Sequence, residues 1–185
     1  MPLAQQSPIK YSAKDLLRFQ SEGGLEFVNG QITHKPVSIQ SCLVVTTLIR
    51  LLGNHAKGGK AHVFAPSMGY QCFPADPSRY RKPDVSVVRL ERLTGFDPDA
   101  ELIPFPPDLA VEVVHGKDVS YALSERVFEY LNNGFLLIWV IHPNTRTVTV
   151  YRGDGSVSVL HEQDEITGEG VLPSFRCKVS DLFTT

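Results

Sequence analysis

Three charged residues fall where the surrounding pattern calls for an apolar side chain: Asp84, Glu112 and Arg126. Glu112 sits inside Pro107-Asp108-Leu109-Ala110-Val111-Glu112-Val113-Val114, a short apolar run that reads as a buried strand. An ionised carboxylate in a core is costly unless a cation or a metal stands beside it. Asp84 opens a second such run, within Arg81-Lys82-Pro83-Asp84-Val85-Ser86-Val87-Val88. Arg126 lies four residues from both Ala122 and Tyr130, inside the apolar face of a helical stretch. Two carboxylates and a cation on three inward faces suit phosphodiester cleavage. A divalent ion is held there by one or two carboxylates, with waters and phosphate oxygens completing its shell. The ion generates hydroxide and neutralises charge on the phosphate, and a nearby cation adds a further contact. A structural pair of Arg126 with Glu112, with Asp84 ending a loop, fits the same residues, and periodicity alone favours it.

The elements that must position these groups follow from spacing. Ser12-Ala13-Lys14-Asp15 resembles a helix start, stopped by Gly23-Gly24. The Asn-Gly pair in Leu25-Glu26-Phe27-Val28-Asn29-Gly30-Gln31-Ile32 is a strong hairpin signal. Within that hairpin Glu26 stands next to an apolar strand face, as an exposed edge carboxylate or a functional one. Val44, Val45, Leu48, Leu51 and Leu52 recur at helical spacing over Gln40 to Asn54, with Ser41 on the inward face. A strand is expected near His62 to Cys72, and polar loops over Pro74 to Lys82 and Glu91 to Pro107. Val119 to Asn132 forms the clearest helix, with Val119, Ala122, Leu123, Val127, Tyr130 and Leu131 on one broad face. Asn133-Gly134 ends it. Phe135 to Ile141 is a continuous apolar strand, central in a sheet. Strands over Thr145 to Arg152 and Gly155 to His161 follow, and a short helical turn closes the chain.

A chain of 185 residues holds one domain with a sizeable core, here taken as residues 1–185. A hydrophobic fraction of 42% is ordinary for a globular protein. The net charge of -2 gives no global positive field, so contact with nucleic acid requires a local basic patch or a metal. Arg79, Arg81 and Lys82 beside Asp84 are candidates for DNA-backbone contact; a solvated charged loop is an equal reading. Cys42, Cys72 and Cys177 form no CxxC pair, and no two of the six histidines have zinc-motif spacing. The N-terminus lacks a signal-peptide pattern, and the longest apolar run is too short to span a bilayer. A soluble protein of the reducing cytoplasm, with no membrane partner, is the expectation.

These landmarks, in this order, resemble the PD-(D/E)xK nuclease superfamily. Closer still, the chain is similar to a large family of restriction-endonuclease-like proteins abundant in cyanobacteria, the Uma2 type. The likeness rests on the Glu26 hairpin, Arg81-Lys82-Pro83-Asp84-Val85 and Pro107 to Val113. Tyr130, Asn133-Gly134, Trp139-Val140-Ile141-His142-Pro143, Leu172-Pro173-Ser174-Phe175 and Asp181-Leu182-Phe183 extend it nearly end to end. The resemblance implies a restriction-endonuclease-like α/β core: a mixed central sheet flanked by helices, with an N-terminal helix and a β-hairpin annex. It also implies Mg²⁺ (or Mn²⁺) at Asp84 and Glu112, assistance from Glu26, and DNA as substrate, with Lys117 joining Arg81 and Lys82 as DNA contacts. A homodimer suits an enzyme that cuts both strands.

The departures are specific. Val114 stands where the superfamily lysine follows the Glu, and Arg126 occupies the family's relocated lysine position. His115-Gly116-Lys117 replaces a Ser-Pro-Ser segment, Ala122 replaces an Asp, and Ser41 replaces a His. Arginine keeps the charge but does not readily transfer protons. Two readings therefore stay open: a Mg²⁺-dependent endonuclease with Asp84, Glu112, Arg126 and Glu26 as its site, or a non-catalytic nucleic-acid-binding or assembly module on the nuclease fold.

Overall fold

The computed structural model describes residues 25–28, 31–34, 37–115 and 120–184. The helix expected from Ser12, the Asn29-Gly30 turn and Lys117 lie outside the described residues. The chain runs β1 (Leu25–Val28), β2 (Gln31–His34), α1 (Ile39–Ala56), β3 (Ala61–Phe64), β4 (Gly69–Tyr70), β5 (Val85–Arg89) and α2 (Leu90–Leu93). It continues through β6 (Leu102–Ile103), β7 (Leu109–Val113), α3 (Ser120–Asn132), β8 (Leu137–His142), β9 (Thr147–Arg152) and β10 (Val157–Leu160). Short strands β11 (Glu165–Thr167) and β12 (Arg176–Lys178) precede a 3-10 turn over Val179–Phe183.

Six strands form the central sheet in the order β10-β9-β8-β7-β5-β3. Only β7 and β8 are parallel; the other pairs are antiparallel. Parallel neighbours need a long crossover, and α3 is that crossover. The mixed sheet expected from the sequence is therefore present, with one parallel seam at its centre. The β1–β2 hairpin forms its own two-stranded sheet, with Glu26 opposite Thr33.

Side chains alternate across β7, and this alternation decides where the site lies. Leu109, Val111 and Val113 enter one core with Val44, Leu48 and Leu52 of α1. Ala110 enters the other, with Val127 and Tyr130 of α3. Glu112 shares the parity of Ala110 and so points toward α3. Helix α1 holds its face by the four-residue spacing of Val44, Leu48, Leu52 and Ala56. It runs two residues beyond the Gln40 to Asn54 span expected, because its buried face continues to Ala56. Ser41, expected on the inward face, is buried and completes a capping box: Ser41 N–H donates to Ser38 Oγ and Ser38 N–H to Ser41 Oγ.

Helix α3 ends as Asn133-Gly134 predicts. Phe135 N–H donates to Tyr130 C=O and Gly134 N–H to Leu131 C=O, the paired bonds of a Schellman motif, with Gly134 at φ 84°. Three expectations are corrected here. Ala122 is exposed, lying on the side of α3 away from the core. The 91–107 segment is not wholly loop: it contains most of α2 and all of β6, which pairs in parallel with β4. Likewise the strand expected over 62–72 is split between β3 and β4, which belong to different sheets. No helix among the described residues is long and apolar enough to cross a membrane.

Leu48 and the sole tryptophan, Trp139, are both 0% exposed in the α1-side core. Leu48→Ala is expected to destabilise the fold by about 2–5 kcal/mol, because the deleted methyls leave a cavity. Urea denaturation followed by Trp139 fluorescence measures this directly. Cysteine chemistry gives a second expectation. Burial pushes the Cys72 and Cys177 thiols up to about 12, whereas Cys42 is exposed. At pH 8 roughly one in 10⁴ of the buried thiols is ionised, so a disulfide reagent should modify Cys42 alone until the protein is unfolded.

Candidate active site

The site forms where β5 and β7 meet beneath α3. Asp84 immediately precedes β5, and the register places Val85 opposite Val111. Asp84 N–H donates to Val111 C=O at 2.9 Å, and Asp84 Oδ2 accepts from Val113 N–H at 2.7 Å. These bonds tie Asp84 to the backbone on both sides of Glu112. The two carboxylates separated by 28 positions in sequence are thus brought together by a single strand pairing. Both are buried: Asp84 is 8% exposed and Glu112 1%.

Helix α3 supplies the groups above them. Arg126 and Tyr130 are one turn apart and share a face. Arg126 Nη1 donates to Glu112 Oε2 at 2.8 Å, and Tyr130 Oη donates to Glu112 Oε1 at 2.8 Å. Arg126 Nη2 lies 3.6 Å from Glu26 Oε2, an ion-pair distance. Glu26 is 1% exposed, so it is not the exposed edge carboxylate that the bland reading of the hairpin allowed. Its Oε1 accepts from Lys82 N–H at 3.0 Å and its Oε2 from Arg81 Nη1 at 3.1 Å.

Arg81 and Lys82, the expected DNA contacts, are 8% and 6% exposed. Arg81 turns inward because two carboxylates claim it: Glu26, and Glu129 through Nε at 2.9 Å. Arg79 also pairs with Glu129. Glu129 was not singled out in the sequence, and Tyr130 was read there as part of the apolar face of α3 and as a landmark of the resemblance, not as a site residue. Glu129 sits three positions after Arg126, and an opposite charge at that spacing was the available signal.

The electrostatics follow from this geometry. Burial alone lowers the pKa of Arg126, but Glu112 and Glu26 outweigh it and raise the pKa above its ordinary value. Arg81 is likewise lowered by burial and raised overall by Glu26 and Glu129. Burial lowers Lys82, with Glu26 opposing. Burial, reinforced by Glu112 and Glu26, holds the Tyr130 phenol far above its usual range, so Tyr130 donates its proton to Glu112 and keeps it.

A guanidinium carries five N–H donors. Among the described residues Arg126 makes one hydrogen bond, and its Nε is buried without an acceptor. An under-used buried cation of this kind is a ready contact for an anionic oxygen.

The donor set suits a hard cation only. Asp84 and Glu112 offer carboxylate oxygens, donors that fit an ion that keeps most of its waters. It does not fit zinc. Among the described residues no group of three His, Cys, Asp or Glu side chains could hold a metal. Glu26, whose oxygens accept from Arg81 and the Lys82 backbone, also lies at ion-pair distance from Arg126.

The sequence matches, over residues 13–180, the profile of the Uma2 family, described as "Putative restriction endonuclease". A search of curated proteins gave no match. Among solved structures the fold is similar to a "putative nuclease belonging to DUF820" from Anabaena variabilis, with a TM-score of 0.77 at 17% identity, covering 94% of this chain and 97% of that one. At that identity the likeness shows the fold.

Proposed function

From the premise that the chain belongs to the Uma2 family of restriction-endonuclease-like proteins, we propose that it is a Mg²⁺-dependent (or Mn²⁺-dependent) endonuclease hydrolysing phosphodiester bonds in DNA. Restriction-endonuclease-like families generally use divalent metals. Asp84 and Glu112 would hold the ion, and the bound ion supplies an activated water and neutralises phosphate charge. Arg126 contacts the phosphate through the donors that Glu112 leaves unused, and it stabilises charge without transferring a proton. Tyr130 fixes the orientation of Glu112. Arg81 holds the hairpin carrying Glu26 against α3 by bridging Glu26 and Glu129, while Lys82 and Lys117 add positive potential along the DNA backbone.

The observation that supports this reading is Asp84 bonded to the β7 backbone on either side of Glu112, with Arg126 on Glu112 and its Nε without an acceptor. Plasmid nicking in Mg²⁺ or Mn²⁺, compared between wild type and Glu112→Gln, tests it. Equal trace activity in the two proteins would remove the enzyme reading.

A second reading has its own support: a non-catalytic nucleic-acid-binding or assembly module. Both Glu112 oxygens are already hydrogen-bonded, and Glu26, Glu112 and Glu129 are matched in number by Arg79, Arg81 and Arg126. Such a balanced cluster is stable without metal. Calorimetric titration separates the two: no heat from Mn²⁺ at millimolar concentration leaves only the module.

A further inference from the structure

Hydrolysis of a phosphodiester takes a proton from the attacking water, and the groups assigned above do not accept it. The Arg126 guanidinium stays protonated, and the Tyr130 phenol keeps its proton. Asp84 and Glu112 are given to the ion. Strand register brings one further titratable group to the same end of the sheet.

Strand β8 runs parallel to β7, with Glu112 opposite Val140 and Val113 opposite Ile141. Val114 N–H donates to Ile141 C=O at 2.8 Å, which keeps Val114 on the ladder, next to His142 at the end of β8. Alternation along β8 then fixes the face on which His142 lies. Trp139 and Ile141 enter the α1-side core, whereas Ile138 and Val140 enter the α3-side core. His142 has the parity of Ile138 and Val140, so it stands on the side of the sheet that carries Glu112. Its Cα is one strand across from that of Glu112 and two residues further along, a separation of about 8 Å at ordinary strand spacing. Asp84, at the start of antiparallel β5, lies at this same end.

The imidazole is half-buried, and burial lowers its pKa from the ordinary histidine value. It is therefore a neutral base at neutral pH. The other basic groups nearby are placed differently. His115 follows the end of β7 with the parity of Val113, which enters the α1-side core. Lys82 precedes β5, on the far side of β7 from β8, and its Nζ lies 5.7 Å from the centre of the Tyr80 ring.

We propose that His142 is the general base of the phosphodiester hydrolysis proposed above, an inference that rests on that reading. The imidazole takes one proton from a water as the water oxygen bonds to phosphorus. The P–O bond to the leaving oxygen breaks with its electron pair, and that oxygen takes a proton from solvent. Arg126 offsets charge on the phosphate, so the cation and the base are separate residues on separate elements.

The test is nicking of supercoiled plasmid in Mn²⁺ by the full chain, with Mn²⁺ affinity measured beside it by calorimetry. His142→Gln and His142→Ala are expected to lower cleavage by about 10²-fold or more while Mn²⁺ affinity stays at the wild-type value. Added imidazole should restore cleavage to His142→Ala in proportion to its concentration, and should restore none to Glu112→Gln. A wild type that cleaves, with both His142 variants cleaving equally well, overturns this inference and leaves the metal-site reading standing. A wild type that does not cleave overturns both. Loss of Mn²⁺ binding in the His142 variants, or a loss of cleavage in His142→Ala that imidazole does not relieve, overturns the assignment of His142 as base.

Discussion

Glu112→Gln is expected to lower metal-dependent DNA cleavage by about three orders of magnitude and to weaken Mn²⁺ binding in parallel. The amide retains an oxygen for the Tyr130 hydroxyl, so the local hydrogen bond survives. What disappears is the negative charge of one of the two carboxylates proposed to hold the ion. Metal stabilisation of phosphate charge is worth several kcal/mol, and each 1.36 kcal/mol is tenfold in rate. The same substitution leaves Glu26, at 3.6 Å, as the nearest remaining ion-pair partner of Arg126 among the described residues. Breaking a buried ion pair from one side costs about 3–5 kcal/mol; the partial exposure of Arg126, 18%, points to the lower end. Cleavage and urea stability should therefore fall together. A variant that loses cleavage yet keeps full stability contradicts the buried pair, and one that keeps cleavage contradicts the metal assignment.

Arg126→Met separates the two readings of the site. Removing the guanidinium leaves Glu112 and Glu26 without their shared cation, so the metal-free protein should lose about 3 kcal/mol or more. If Asp84 and Glu112 hold a divalent ion, the variant binds Mn²⁺ at least about tenfold more tightly, because the competing positive charge has gone. Added metal should then restore stability in proportion to its occupancy. Cleavage nonetheless falls by about 10²–10³, the effect of losing one transition-state contact. In a purely structural pair, by contrast, Mn²⁺ restores nothing.

The pH dependence follows with a definite sign. Arg126 has a raised pKa when folded, so its contribution is present below the unfolded pKa and is lost only as pH rises through the folded value. Wild-type stability should therefore show no loss attributable to this pair between about pH 6 and 10. A denaturation series across that range, with Arg126→Met as the reference, checks it.

Much of the site was legible because local periodicity encodes which way a side chain faces. Arg126 stands one turn from Tyr130, and that spacing was enough to place it on the inward face of α3. Glu112 shares its parity with Ala110, so an apolar strand with one carboxylate already implied a buried charge. The Gly134 stop, the Asn-Gly hairpin and the apolar strand after α3 are equally local. Each depends on the conformational preference of one or two residues or on a short repeat.

Partnership was not legible. Glu26 fitted an exposed edge or a site, and only the packing of the hairpin against Lys82, Arg81 and Arg126 buried it. Arg81 belonged as well to a solvated loop as to an inward pair, because nothing near it in sequence names Glu26 or Glu129. Lys82 and Arg81 are adjacent, yet one gives Glu26 a backbone N–H and the other a guanidinium. The physical reason is the range of the forces involved. Side-chain direction is set by sterics within one or two turns. Which carboxylate meets which cation depends on the order and register of strands far apart in sequence. The sequence by itself determined that two carboxylates and one arginine point inward; only the tertiary structure decided that they share one space, with Tyr130 and a second layer of Arg81 and Glu129 holding them there.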